Sequence, residues 1–143
     1  MMRYMLDTNI VSHMLRGHAA VMQRVTQVPM AALCISSITE AELQFGLAKR
    51  PGNKALHHAV KELLLRVESL PWDSAAALAY GSARWRMTQS GKTIAPLDLL
   101  IAAHAISMDA VLVTNDQALL QFAGLQVQDW TLAITWAAGQ PNA

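Results

Sequence analysis

Short apolar runs alternate with longer helix-like stretches along almost the whole chain, and this alternation leaves few folds open. RYML precedes a helix over about Thr8 to Leu15 and another through about Val28. ALCIS precedes a helix from Ile38, and a helix from about Asn53 leads into VESLPW. A further helix over about Asp73 to Gln89 is broken by SGKT. Another begins near Pro96, and the strand AVLVT, the short helix NDQALLQF and the strand LQVQDW complete the pattern. Strands separated by helices predict a parallel sheet with helices packed on both faces. A length of 143 residues suits one domain, 1–143, with its own core. The ending TLAITWAAGQPNA, from about residue 131, passes from apolar to polar and reads as a tail that docks or frays.

Hydrophobic residues make up 53% and charged residues 15%, a surplus of apolar surface that implies a face for a partner. No uninterrupted apolar run reaches the ~18 residues of a membrane span. MMRYMLDTN carries an acid where a signal peptide is apolar. A soluble cytosolic protein with no membrane association is expected. The single cysteine, Cys34, suits a reducing compartment and reads as a small core residue. Net charge is +1, which gives no global field for a polyanion, but all eleven Lys and Arg lie at or before Lys92. Lys49, Arg50, Lys54, Arg84, Arg86 and Lys92 are therefore the candidate contacts for a nucleic-acid strand.

In open parallel sheets ligands collect outside the carboxyl ends of the strands. Asp7 ends the first strand, Asp116 follows AVLVT, Glu42 lies early in the helix after ALCIS, and Asp98 lies in the first turn of the helix near Leu97. Capping competes with chemistry as the reason for each acid. In SSITEAELQFG it accounts for Glu40: with Ser37 as N-cap, SITE is a capping box. Glu42 has no such job and, at ~100° per residue, projects near Ile38 and Phe45 toward the sheet. Leu43 and Leu47 then form a spare apolar stripe, a candidate partner surface.

Asp98 sits in LDLLIAAHAISM, which is apolar nearly all round, so an ionised carboxylate there requires a partner. It shares a face with Ala102 and Ala105, small enough to admit another backbone. His104, off that face, is assigned a hydrogen-bonded structural role, and the adjacent His57 and His58 are read as solvent-facing. Two carboxylates ~5 Å apart repel by roughly 3 kcal/mol at an effective dielectric of 20. No Lys or Arg adjoins any of the four acids, so a hard divalent cation is the natural neutraliser. Oxygen ligation points to Mg²⁺ or Mn²⁺ rather than zinc, and such ions do phosphoryl chemistry.

MLDTNIVSHML, SSITEAELQFG, GKTIAPLDLLIAAHA, VLVTND and GLQVQDW, in that order, resemble the PIN-domain ribonucleases and, among them, the VapC toxins of bacterial toxin–antitoxin pairs. The resemblance runs from about residue 3 to Trp130. It implies an α/β/α sandwich with a parallel five-stranded sheet of order 3-2-1-4-5, and Mg²⁺- or Mn²⁺-dependent RNA cleavage, of tRNA or ribosomal RNA in the family. It also implies a homodimer inhibited by a VapB antitoxin. The family's acids fall on Asp7, Glu42, Asp98 and Asp116. Asn9 and Thr114 match supporting polar positions, with Thr8 and Asn115 weaker matches. QALLQFAGL is slightly shorter than usual and has Leu120 where an aromatic is commoner. A haloacid-dehalogenase-type phosphatase would want an aspartate at position 9, where this chain has Asn9. A phosphoacceptor receiver domain would want a lysine after the last strand, and none follows Lys92. A PIN-like scaffold without catalysis is the remaining alternative.

Overall fold

The structure, a computed structural model, describes residues 1–133, so most of the apolar-to-polar tail lies outside the described residues. Five strands, β1 (Tyr4–Leu6), β2 (Leu33–Ser36), β3 (Glu68–Leu70), β4 (Val111–Val113) and β5 (Val127–Gln128), form one parallel sheet. Its order is 3-2-1-4-5, as the family resemblance implied. The first connections carry the chain outward from β1 to β3, and the next return it to the other side of β1. That reversal makes the carboxyl edge of β1 and β4 the switch point where a ligand can enter.

The helices are α1 (Thr8–Leu15), α2 (Ala19–Thr26), α3 (Ser37–Lys49), α4 (Lys54–Arg66), α5 (Ser74–Ser90), α6 (Pro96–Ser107) and α7 (Gln117–Leu120). A single 3₁₀ turn, Met30–Ala32, leads into β2. Side-chain alternation along the strands separates two cores. Leu6, Leu33, Ile35 and Val113 face a core shared with α1, α2 and α4, while Met5, Cys34 and Leu112 face one shared with α5, α6 and α7. Cys34 is buried as expected, and burial pushes its thiol pKa up. Ala102 and Ala105 of α6 are buried in the second core with Ala83 of α5, consistent with the close approach their size allows. Trp130 is fully buried, donates from Nε1 to Gln128 Oε1 at 2.9 Å and packs on Tyr4, which fixes the end of the fold against the first strand. No helix among the described residues is long and apolar enough to cross a membrane.

α3 departs from the sequence reading in two ways. Its N-cap is Ser36, the last residue of β2, and its Oγ accepts from Ile38 N at 3.1 Å. The helix starts directly from the strand, so the SITE capping box does not form. Ser37 Oγ accepts instead from Trp72 N at 3.1 Å, and Glu40 accepts from Ser69 Oγ at 2.6 Å, tying α3 to β3 and the segment after it. Nor is Leu43 spare: it is buried in the first core with Leu47 packed beside it, while Ile38 packs against the second. A helix straddling both cores has no single apolar stripe. Phe45, read as sheet-facing, is 63% exposed with the Lys49 ammonium 4.6 Å from its ring centroid.

His104 is buried, its Nδ1 2.8 Å from Ser36 Oγ, and burial lowers its pKa, so the ring serves the structural role expected of it. His57, expected in solvent, is half-buried with Nε2 2.9 Å from the Arg50 carbonyl, while His58 is exposed. Because Ser36 both caps α3 and meets His104, Ser36→Ala should cost about 2 kcal/mol, a cap plus a buried hydrogen bond. Ser37→Ala should cost less in the same urea titration, and the reverse ranking would restore Ser37 as the cap.

Candidate active site

Asp7 leaves β1 at its carboxyl end and is the N-cap of α1, with its backbone N donating to Val113 O at 2.9 Å. Its side chain is buried, yet both oxygens are occupied: Oδ1 accepts from Thr8 N and Oδ2 from Thr114 Oγ1, each at 2.8 Å. Thr114, fully buried just beyond β4, also accepts from Asp116 N at 3.1 Å. Asp116 in turn caps α7, its Oδ1 accepting from Ala118 N at 2.9 Å and Leu119 N at 3.1 Å. One hydroxyl therefore links the two aspartates that end the neighbouring central strands.

Glu42 reaches the same place from α3. Its Oε1 accepts from Thr8 Oγ1 at 2.6 Å, and Thr8 Oγ1 lies 3.3 Å from the buried Thr39 Oγ1. Asp98 sits at the third position of α6, which opens with Pro96. That helix is held by Trp72, whose Nε1 donates to Leu100 O at 2.9 Å. Burial first, then the charges of Asp7, Asp116 and Glu42, push the Asp98 pKa up to about 6. Asp7 is raised too, chiefly by burial and further by Glu42 and Asp116, against the lowering by Thr114 and Thr8. The structure thus gathers all four sequence-selected acids close enough to feel one another's charge, and neither ion pair among the described residues involves any of them.

An all-oxygen, mutually repelling, cation-poor donor set fits a hard divalent ion. Among the described residues no three acidic, His or Cys side chains already stand close enough to enclose one. Of the supporting positions, Thr114 is in direct contact with Asp7, and Thr8, matched only weakly by the resemblance, bonds both the Asp7 segment and Glu42. Asn9 behaves otherwise: its Oδ1 is buried without a hydrogen-bond partner among the described residues. Asn115 has no side-chain hydrogen bond to the acids among those described.

A cleft of about 350 Å³ opens from Thr8 and Glu42 along α1, α3 and the start of α4, with Arg16 and Arg50 on its lining. Arg50 was expected among the cationic contacts; Arg16 was not. Its signal was the spacing Thr8, Ser12, Arg16, one helical face running away from Asp7. Arg86 is engaged elsewhere, donating to Ala123 O at 3.1 Å beside the Phe122 ring, and Arg84 lies 3.3 Å from Tyr80 Oη.

The PIN domain family profile matches residues 4–125. The tRNA(fMet)-specific endonuclease VapC of Shigella flexneri is 30% identical over 132 residues, 92% of this chain and 100% of that protein. Ribonuclease VapC1 of Haemophilus influenzae strain R2866 is 36% identical over 133 residues, 91% and 99% of the two chains. Among solved structures, DNA-bound VapBC from Salmonella typhimurium superposes with a TM-score of 0.84 at 31% identity, covering 91% of this chain and 99% of that one. VapBC-1 from nontypeable Haemophilus influenzae gives 0.81 at 35% identity, covering 92% and 100%.

The pKa of Asp98 has a direct thermodynamic reading. A carboxyl raised from 3.8 to about 6 binds its proton more tightly folded than unfolded. Its stabilising contribution is therefore full below the unfolded value and is lost as pH rises through about 6. In EDTA, Asp98→Asn should melt close to the parent at pH 4 and above it at pH 7. A gap of constant size across that range would refute the shift.

Proposed function

The chain belongs to the PIN domain family, and from that premise we propose that it is the toxin of a VapBC-type toxin–antitoxin pair: an endoribonuclease that hydrolyses RNA with Mg²⁺ or Mn²⁺. The observation carrying this reading is the meeting of four carboxylates without a cationic partner at the sheet's switch point. Asp7, Glu42, Asp98 and Asp116 would hold the ion, directly or through water. Bound there, it supplies an acidified water for attack on the phosphodiester and positive charge at the leaving oxygen.

The chain's own residues prepare that place. Thr114 fixes the Asp7 carboxylate between β1 and β4, and Thr8 fixes Glu42 against the start of α1. Oδ2 of Asp116 is left out of its capping bonds, so this oxygen is the one available for an ion. Asp98, whose pKa burial and the neighbouring carboxylates push up to about 6, would give up its proton when a cation arrives. Asn9, two residues after Asp7 and with a buried oxygen that has no partner among the described residues, is a supporting polar group of the same site. The substrate is an RNA, with tRNA and ribosomal RNA the classes the family implies, and the site of action is the cytoplasm. The inhibitor is a cognate VapB-type antitoxin, supported by the VapBC complexes this chain resembles.

A homodimer completes the reading. Leu43 and Leu47 belong to the core, and the outer face of α5, where Leu78 is 81% and Trp85 61% exposed, takes their place as the dimer surface. Gly81 and Ser82 lie between them, exposed and small enough to admit a partner helix. Light scattering at micromolar concentration should find a dimer that Leu78→Glu/Trp85→Glu converts to monomer; a monomeric parent would count against it.

Cleavage of RNA by the purified protein should require added Mg²⁺ or Mn²⁺. Asp7→Asn and Glu42→Gln should each lower it at least roughly a hundredfold, since even outer-shell partners of a metal are commonly worth 10–100-fold. Glu40→Gln, altering only the tie to Ser69, should cleave near the parental rate. Undiminished cleavage in excess EDTA would sink the metal-dependent mechanism.

A further inference from the structure

We infer that the cleft between α1, α3 and α4 holds the RNA strand beside the cut, with a neighbouring phosphate on Arg16 and Arg50 and its nucleoside over the leucines between. This inference rests on the ribonuclease reading and names where the strand lies. The cleft has two chemically distinct ends. Thr8 and Glu42 stand at one, and Arg16 and Arg50 at the other, eight residues farther along α1 and α3 respectively. Eight residues of helix advance ~12 Å, and side chains lean back toward the N-terminus, which shortens the gap. The guanidinium groups are thus within one or two phosphates of a group seated at the acids.

Charge is what selects the occupant. Arg16 and Arg50 are exposed and in neither ion pair among the described residues; the Arg50 side chain has only a long contact, 3.5 Å, to the Gly46 carbonyl. Two cations without an ion-pair partner, at the end of the cleft away from Glu42, complement a polyanion whose neighbouring phosphate reaches that end. Between the ends, Leu15, Leu43, Leu47, Leu56 and Val60 provide a floor with no aromatic ring. Asn53 spends its Oδ1 capping α4 and keeps an amide donor at the rim, and Ser12 adds a hydroxyl. Such a floor can bury the nonpolar face of a nucleoside but reads few base edges, so contact here is sequence-tolerant. At about 350 Å³ the cleft has room for a nucleotide. A strand reaching the acids must leave them in some direction, and this cleft opens directly onto Glu42. Arg16 and Arg50 are accordingly positioning residues.

The test is Arg16→Ala/Arg50→Ala in the full chain, read by steady-state cleavage of a single-stranded RNA and by anisotropy of the same strand in EDTA, where the proposed mechanism does not cut it. KM should rise roughly tenfold, the scale of charge-assisted contacts, with kcat little changed. The plot of log strand affinity against log salt should flatten by about 1.4, two phosphate contacts on a single strand at ~0.7 each. Arg16→Lys/Arg50→Lys should restore much of that slope, while Lys61→Ala, an exposed cation off the cleft, should leave the parental slope. Mn²⁺ binding by calorimetry should be unchanged, separating the cleft from the acids. An unaltered salt slope and KM overturn the inference; if binding of a VapB-type antitoxin is lost at the same time, the cleft is a peptide groove. If the parent binds the strand through these arginines but cuts nothing, the ribonuclease reading fails and the strand site stands.

Discussion

The hydrogen bond from Thr114 to Asp7 joins the two strands on which everything else depends. It places a carboxylate in a position from which water is excluded, at the edge between β1 and β4, and the same hydroxyl receives the backbone N–H of Asp116. A buried carboxylate is tolerable only when hydrogen bonds compensate its lost hydration. Asp7 has two such bonds, and even so burial keeps its pKa above the ordinary value. The parallel sheet, with two cores on its faces, exists in part to hold that one side chain still, and the helices bring Glu42 and Asp98 to it from different directions.

Much of this was readable before any coordinates. Parallel strands joined by helices confine ligands to one edge, and four acids map to that edge because each follows a strand or lies early in a helix. What could not be read was which side chains meet across elements. Ser36 and Ser37 are indistinguishable as caps by composition; the choice depends on β2 running without a break into α3, and on Trp72 arriving to claim Ser37. Leu43 and Leu47 seemed spare because a periodicity argument assumes one buried face, whereas α3 serves two cores. The bridging role of Thr8 and the pairing of Arg16 with Arg50 depend on how α1 and α3 face each other, which no local spacing encodes.

The competing enzyme readings fail on particular atoms. A phosphatase of the haloacid-dehalogenase type needs an acid two residues after Asp7 to protonate the leaving group, and Asn9 offers an amide whose oxygen is buried without a partner. A receiver domain needs a lysine after the last strand, and none follows Lys92. An inert scaffold is harder to separate, because its acids could persist for reasons of architecture alone.

That last point follows from the double duty of the aspartates. Asp7 and Asp116 each terminate a strand's run and start a helix, so a lineage that gave up chemistry would still be penalised for discarding them. Drift would preserve both as relics, and their presence alone is weak testimony to a living enzyme. Asp98 is different. It accepts no side-chain hydrogen bond among the described residues, and its surroundings resist its charge. Once the reaction ceased to matter, asparagine or serine would serve the fold better, so this is the position where a degenerate descendant would first betray itself. Of the three aspartates, it is the one whose presence the architecture of the fold does not account for.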